Sequence, residues 1–219
     1  MDKLYELFQK IGGDYPQKGV VFLPEPQRTQ GLMRILKRYI AAGRVGVARE
    51  TAKFLPEPLR TEELTKVLKV CIKKGRLSDA RETAKFLPEP LRTSGMMEIL
   101  EKYILERRPD SARETAKLLP EPERTKELVK ILKLCFEMKR LNAARGTAKL
   151  LPEPRRTKEL KKVLAMSIEE GQLSDARETA SLIGLELTLE GLTKILETCV
   201  AKNRLSDARS AADMILSII

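Results

Sequence analysis

The sequence predicts an all-α fold, an α-solenoid of stacked antiparallel helix pairs, and three observations predict it. Charged residues make up 33% of the 219-residue chain and aromatics 4%, a balance that suits amphipathic helices better than sheets, which favour aromatic and β-branched residues. Leu-Pro-Glu-Pro recurs every 32 residues, from Leu23, Leu55, Leu87, Leu119 and Leu151, and ARETAKFLPEPLRT at 48–61 is repeated letter for letter at 80–93. Inside each period the apolar residues fall at helical spacing, as in Leu64, Val67, Leu68, Cys71 and Ile72.

Those five residues mark the first helix of the period, helix A. After a break at Gly75, Arg76 and Leu77, Ser78 and its equivalents Gly46, Asp110, Asn142, Ser174 and Ser206 are residue types favoured at a helix N-cap, so helix B is expected to start there. Ala80, Ala84 and Leu87 then lie on one face. Helix B stops at the proline motif, because the residue before a proline is pushed out of the helical region. Pro88 ends it, and Pro90 is expected in the first turn of the next helix A, where its missing N–H would be unpaired anyway. Helices of about 16 and 10 residues cannot bury an apolar stripe alone, so neighbouring pairs must stack and share a core.

We expect one continuous domain with a divergent N-terminal capping unit at 1–22, five repeats at 23–182 and a sixth, divergent C-terminal repeat at 183–219. The last six residues, Met214 to Ile219, are too apolar for a good cap. They suggest truncation or end-to-end self-association.

Leu64, Val67, Leu68 and Cys71, with Tyr39 and Tyr103 at the cysteine's place in other repeats, resemble the W-x2-L-G-x2-Y helix of the tetratricopeptide repeat, and Ala80-x3-Ala84 resembles its A-x3-F. KKGRLSDARE at 73–82 is similar to the K-x-G-x-x-x-x-A stretch of pentatricopeptide repeats. The resemblance covers all six repeats and implies a right-handed superhelix with helix A on the concave surface. Leu68 stands where the tetratricopeptide motif has glycine and Ala84 where it has an aromatic, which implies a short, closely packed helix B. The base-reading positions of pentatricopeptide proteins hold Arg34, Lys66, Glu98, Lys130, Lys162 and Lys194 with no second partner, so their RNA code is not carried over.

A net charge of +11 suits an anionic partner. Part of it has structural reasons. Arg44, Arg76, Arg108, Arg140 and Arg204 follow helix A, and Lys53, Lys85, Lys117 and Lys149 close helix B, where cations answer the helix dipole. Two further arginine columns, Arg49/Arg81/Arg113/Arg145/Arg177/Arg209 and Arg28/Arg60/Arg92/Arg124/Arg156, are expected to pair with repeated acids such as Glu57 and Glu89 between successive repeats. The candidate partner-binding residues are the helix A cations Arg34, Lys37, Lys66, Lys69, Lys73, Lys130, Lys133 and Lys162, interrupted by Glu98 and Glu101. A basic groove and a merely solvated face both fit this pattern. The favoured partner is an acidic peptide or protein segment. Single-stranded RNA along the same face is the rival, and a designed or amplified array with no evolved ligand is a third reading.

Catalysis is not expected. The chain has no histidine, no phosphate-cradling G-x-x-x-x-G-K-[ST] loop and no G-x-S-x-G elbow. Acid pairs such as Glu62 and Glu63, or Glu169 and Glu170, are read as solvated charge at helix ends. Cys71, Cys135 and Cys199 stand 64 residues apart, a spacing that suits neither zinc nor a disulfide framework, so no metal or cofactor is expected. No apolar run is long enough for a membrane span, and the opening MDKLYELFQK lacks the pattern of a signal peptide. A soluble, cytoplasmic protein is expected.

Overall fold

The computed structural model describes residue 20 and residues 24–183 and 185–218, and among them are twelve α-helices and no strand. Helices A are α1 (Gln27–Ala41), α3 (Leu59–Lys73), α5 (Leu91–Leu105), α7 (Glu123–Glu137), α9 (Arg155–Glu169) and α11 (Leu185–Ala201). Helices B are α2 (Val45–Ala52), α4 (Leu77–Ala84), α6 (Pro109–Ala116), α8 (Leu141–Ala148), α10 (Leu173–Ala180) and α12 (Leu205–Ile218). The chain is an all-α solenoid of helix pairs. Contacts divide it into two compact units, one ending at Tyr103 and the other beginning at Ile104, so the division falls inside α5. The expected capping unit at 1–22 lies outside the described residues, Val20 apart.

The alanines of ARETA explain the short helix B. Ala48, Ala52, Ala80, Ala84, Ala112, Ala116, Ala144, Ala148, Ala176 and Ala180 have no exposed surface, and the absence of longer side chains lets α2 lie close to α4, and α8 close to α6 and α10. The buried threonine of the same motif is satisfied locally. Thr51, Thr83, Thr115, Thr147 and Thr179 each donate Oγ1–H to the carbonyl four residues back. Helix A supplies the larger apolar side chains, among them Leu32, Leu36, Leu64, Met96, Ile99 and Leu100, all fully buried. The column Tyr39, Cys71, Tyr103, Cys135, Ser167 and Cys199 lies on that face, buried throughout.

The helix ends correct two expectations. Helix B starts at Leu77, with Arg76 at the N-cap, so Ser78 is inside the first turn and caps nothing. The reason is the end of helix A: Gly75 takes φ +68°, Arg76 N–H donates to the Cys71 carbonyl and Gly75 N–H to Ile72, a Schellman closure that turns the chain straight into helix B. Arg107, Lys139 and Asn203 adopt the same left-handed conformation in repeats that lack the glycine. Pro90 and its equivalents likewise sit before helix A: Pro26, Pro58, Pro122 and Pro154 are N-cap residues, each after a cis Glu-Pro peptide bond.

The glutamate between the prolines does the capping. Glu57 Oε2 accepts the Thr61 N–H at 3.2 Å and Oε1 accepts Arg60 Nε–H at 2.9 Å. Glu25, Glu89, Glu121 and Glu153 do the same with the arginine three residues on and the threonine four residues on. A carboxylate at this place meets both an orphan donor and the positive end of the helix dipole. The second arginine column therefore pairs within its own repeat, correcting the expected pairing between repeats. The cross-repeat role falls in part to the arginine after helix A: Arg76 donates to the Gly43 carbonyl and Arg204 to that of Gly171, 33 residues back in each case.

Candidate functional site

The eight cations singled out on helix A are all exposed. Arg34 and Lys37 stand on α1 and Lys66, Lys69 and Lys73 on α3 in the first compact unit; Lys130 and Lys133 stand on α7 and Lys162 on α9 in the second. Six of them fall into two kinds by what lies beside them.

Lys66, Lys130 and Lys162 each hold a glutamate one turn back. The Nζ to Oε1 distances are 2.5 Å to Glu63, 2.7 Å to Glu127 and 3.0 Å to Glu159. Glu63 and Glu127 are only 1% exposed, and their lysines are about half exposed, bridging a buried carboxylate to water. The hydrogen bond to Glu63 raises the Lys66 pKa. Glu127 Oε2 has no hydrogen-bond partner among the described residues. The reading of Glu63 as a solvated helix-end acid is thus overturned. A signal for it was present in the sequence: this column reads Gly31, Glu63, Gly95, Glu127, Glu159, Gly191, and a lysine follows three residues after every glutamate. A carboxylate on the packed face needs a cation within one turn to be tolerated.

Lys37, Lys69 and Lys133 form the other kind. They occupy one column, three residues beyond Arg34, Lys66 and Lys130, and no acid pairs with them among the described residues. On α5 the same columns carry the exposed Glu98 and Glu101.

Beyond helix A the chemistry is sparse. No group of three or more His, Cys, Asp or Glu residues is placed to hold a metal ion among the described residues. All three cysteines are free and buried, and burial pushes the Cys135 thiol up to about 11. None of the described helices is long and apolar enough to cross a membrane.

No protein-family model matches the chain, and no curated protein sequence is similar to it. Solved structures with a similar arrangement are helical-repeat proteins. A kinesin light chain of Podosopora anserina with nearly identical TPR-like repeats is 15% identical, covering 90% of this chain and 97% of that one at a TM-score of 0.29. BtubC from P. vanneervenii is 14% identical, covering 84% and 90% at 0.28. The de novo designed helical repeat protein DHR64 is 16% identical, covering 98% and 87% at 0.14. Nothing about fold, partner or activity follows from likeness at this level.

Proposed function

We propose that the chain is a non-catalytic binding scaffold whose helix A surface takes an extended acidic segment of a protein partner. The observation that carries this reading is the pair Lys37 and Lys69 of the first compact unit: exposed lysines at one register of successive helices A with no acid one turn away. A merely solvated helix face gains a few tenths of a kcal/mol from each acid placed one turn from a lysine, and neither Lys37 nor Lys69 has an acid three or four residues away on its helix. Lys66, Lys130 and Lys162 contribute positive potential but are held by buried glutamates, so the recognition falls on the other column. An acidic partner would gain on-rate and specificity from such a surface more than raw affinity.

Fluorescence anisotropy with a labelled Asp/Glu-rich peptide and with oligo-U, each titrated with salt, tests it. The peptide should bind, and Lys37→Glu and Lys69→Glu together should weaken it at least about tenfold while leaving the fold intact. Tight oligo-U binding with a steep salt slope, and none of the peptide, would replace this reading with RNA binding.

A further inference from the structure

Arg145 and Arg113 occupy the same position one repeat apart, and they meet different surroundings. Arg145, on α8, is buried and reaches the next helix B: its Nη1–H donates to Asp175 Oδ1 at 2.8 Å, and its Nη2 lies 2.7 Å from Glu178 Oε2. One repeat earlier the counterparts of Asp175 and Glu178 are Ala143 and Gly146. Both acids that would receive Arg113 are gone. Gly146 is the departure, since the other ARET-type motifs carry Glu50, Glu82, Glu114 and Glu178 at this place.

Arg113 accordingly pairs with acids of its own helix, Asp110 at 3.1 Å and Glu114 at 3.6 Å. Its guanidinium lies over Gly146, where a Cβ would stand 2.9 Å from Nη1. Beside it opens a cavity of about 450 Å³, lined by Arg113, Lys139, Arg140 and Gly146 and by the first turn of α8. Asn142 in that turn caps no backbone group but accepts from Arg145, so the first turn of α8 is left without a side-chain cap. Two acids also line it. Asp175 is held by Arg145. Asp110 bridges Arg113 and, at 2.9 Å, Arg140; it is half exposed and can return to water when another carboxylate takes both arginines. Lys139 pairs with Glu170 at 2.7 Å.

We propose that this cavity is an anion site for a ligand carrying two carboxylates a few ångströms apart, which takes the place of the two acids that the repeat pattern supplies to Arg145. Bidentate arginine–carboxylate pairing gives both the geometry and the strength for such recognition. The chemistry is shared by a free dicarboxylic acid and by adjacent acidic side chains of a peptide, and the site is independent of the helix A lysines.

Titration of the isotope-labelled chain with glutarate and, separately, with an acetylated and amidated Glu-Glu dipeptide tests it. The amide signals of Gly146 and Asn142 should shift saturably with at least one probe; a response to glutarate alone identifies a free ligand, and a response to the dipeptide a protein one. Arg113→Gln should weaken binding about tenfold or more, the scale of a lost charge-assisted pair. Ala143→Asp combined with Gly146→Glu, which restores the repeat's own acids, should abolish binding and raise the melting temperature. Absence of saturable shifts with both probes overturns the proposal. So does binding that survives the double substitution in a folded chain.

Discussion

Helices α3 and α5 begin with the same letters and part company one turn later. Glu57 and Glu89 cap them alike, at 2.9 and 2.8 Å to the arginine and 3.2 Å to the threonine N–H in both. Two residues after that threonine, α3 buries Glu63 under Lys66, whereas α5 has Gly95, where a Cβ would meet Leu68 Cδ2 at 2.7 Å and Ala84 Cβ at 3.7 Å. One register position is thus filled in two ways: by a paired carboxylate, or by the preceding leucine pushed against bare backbone. The lesson is that the repeat constrains its capping segment by chemistry and its packing face only by volume and charge balance.

Gly95→Glu is the harshest way to break that comparison. It overfills the space held by Leu68 and buries a carboxylate with Glu98, not a lysine, three residues on. A loss of about 4 kcal/mol is expected in denaturant unfolding, and adding Glu98→Lys should recover part of it. Lys66→Ala asks the converse question on α3. It strips the cation from a 1% exposed carboxylate, and because Lys66 itself is half exposed the cost should be about 1–2 kcal/mol. Lys69→Ala, three residues away, should cost under about 0.5 kcal/mol.

The shared segment supplies the control. Glu57→Ala and Glu89→Ala should each lower the denaturant midpoint of unfolding, and equally, because the two caps are equivalent. The hydrogen bonds from Thr61 and Arg60 hold the Glu57 carboxyl below its ordinary value of 4.5, and those from Thr93 and Arg92 do so for Glu89. A depressed folded pKa gives stability that is present above the unfolded value and lost as pH falls through the folded one. The double variant and the parent should therefore converge in acid, and a gap that persists there would show the caps act by something other than charge. One further change is expected to be a gain. Arg107 stands where the second repeat has Gly75, at φ +55°, so Arg107→Gly should stabilise by about 0.5–1 kcal/mol.

The period, the alternation of long and short helices and the buried alanine and cysteine columns were legible in the sequence, because each depends on spacing within one or two turns. Ser78 misled because the local N-cap preference was outweighed by the left-handed turn at Gly75, which starts helix B one residue after Arg76. Glu63 misled for a different reason: paired acids at a helix start look solvated, and only the glycine–glutamate alternation with its trailing lysine hinted otherwise. Among the candidate cations, the letters did not show that Lys66, Lys130 and Lys162 were already engaged by glutamates.

By itself the sequence determined where each helix begins and ends to within a few residues, and which stripe of it faces inward. Those outcomes follow from proline, glycine and apolar spacing, whose effects reach no further than the next turn. The tertiary structure decided which acid each arginine and lysine meets. Long charged side chains rotate about several bonds and find partners a full repeat away, so Arg145 could be told from Arg113 only once the neighbouring helix B was in place.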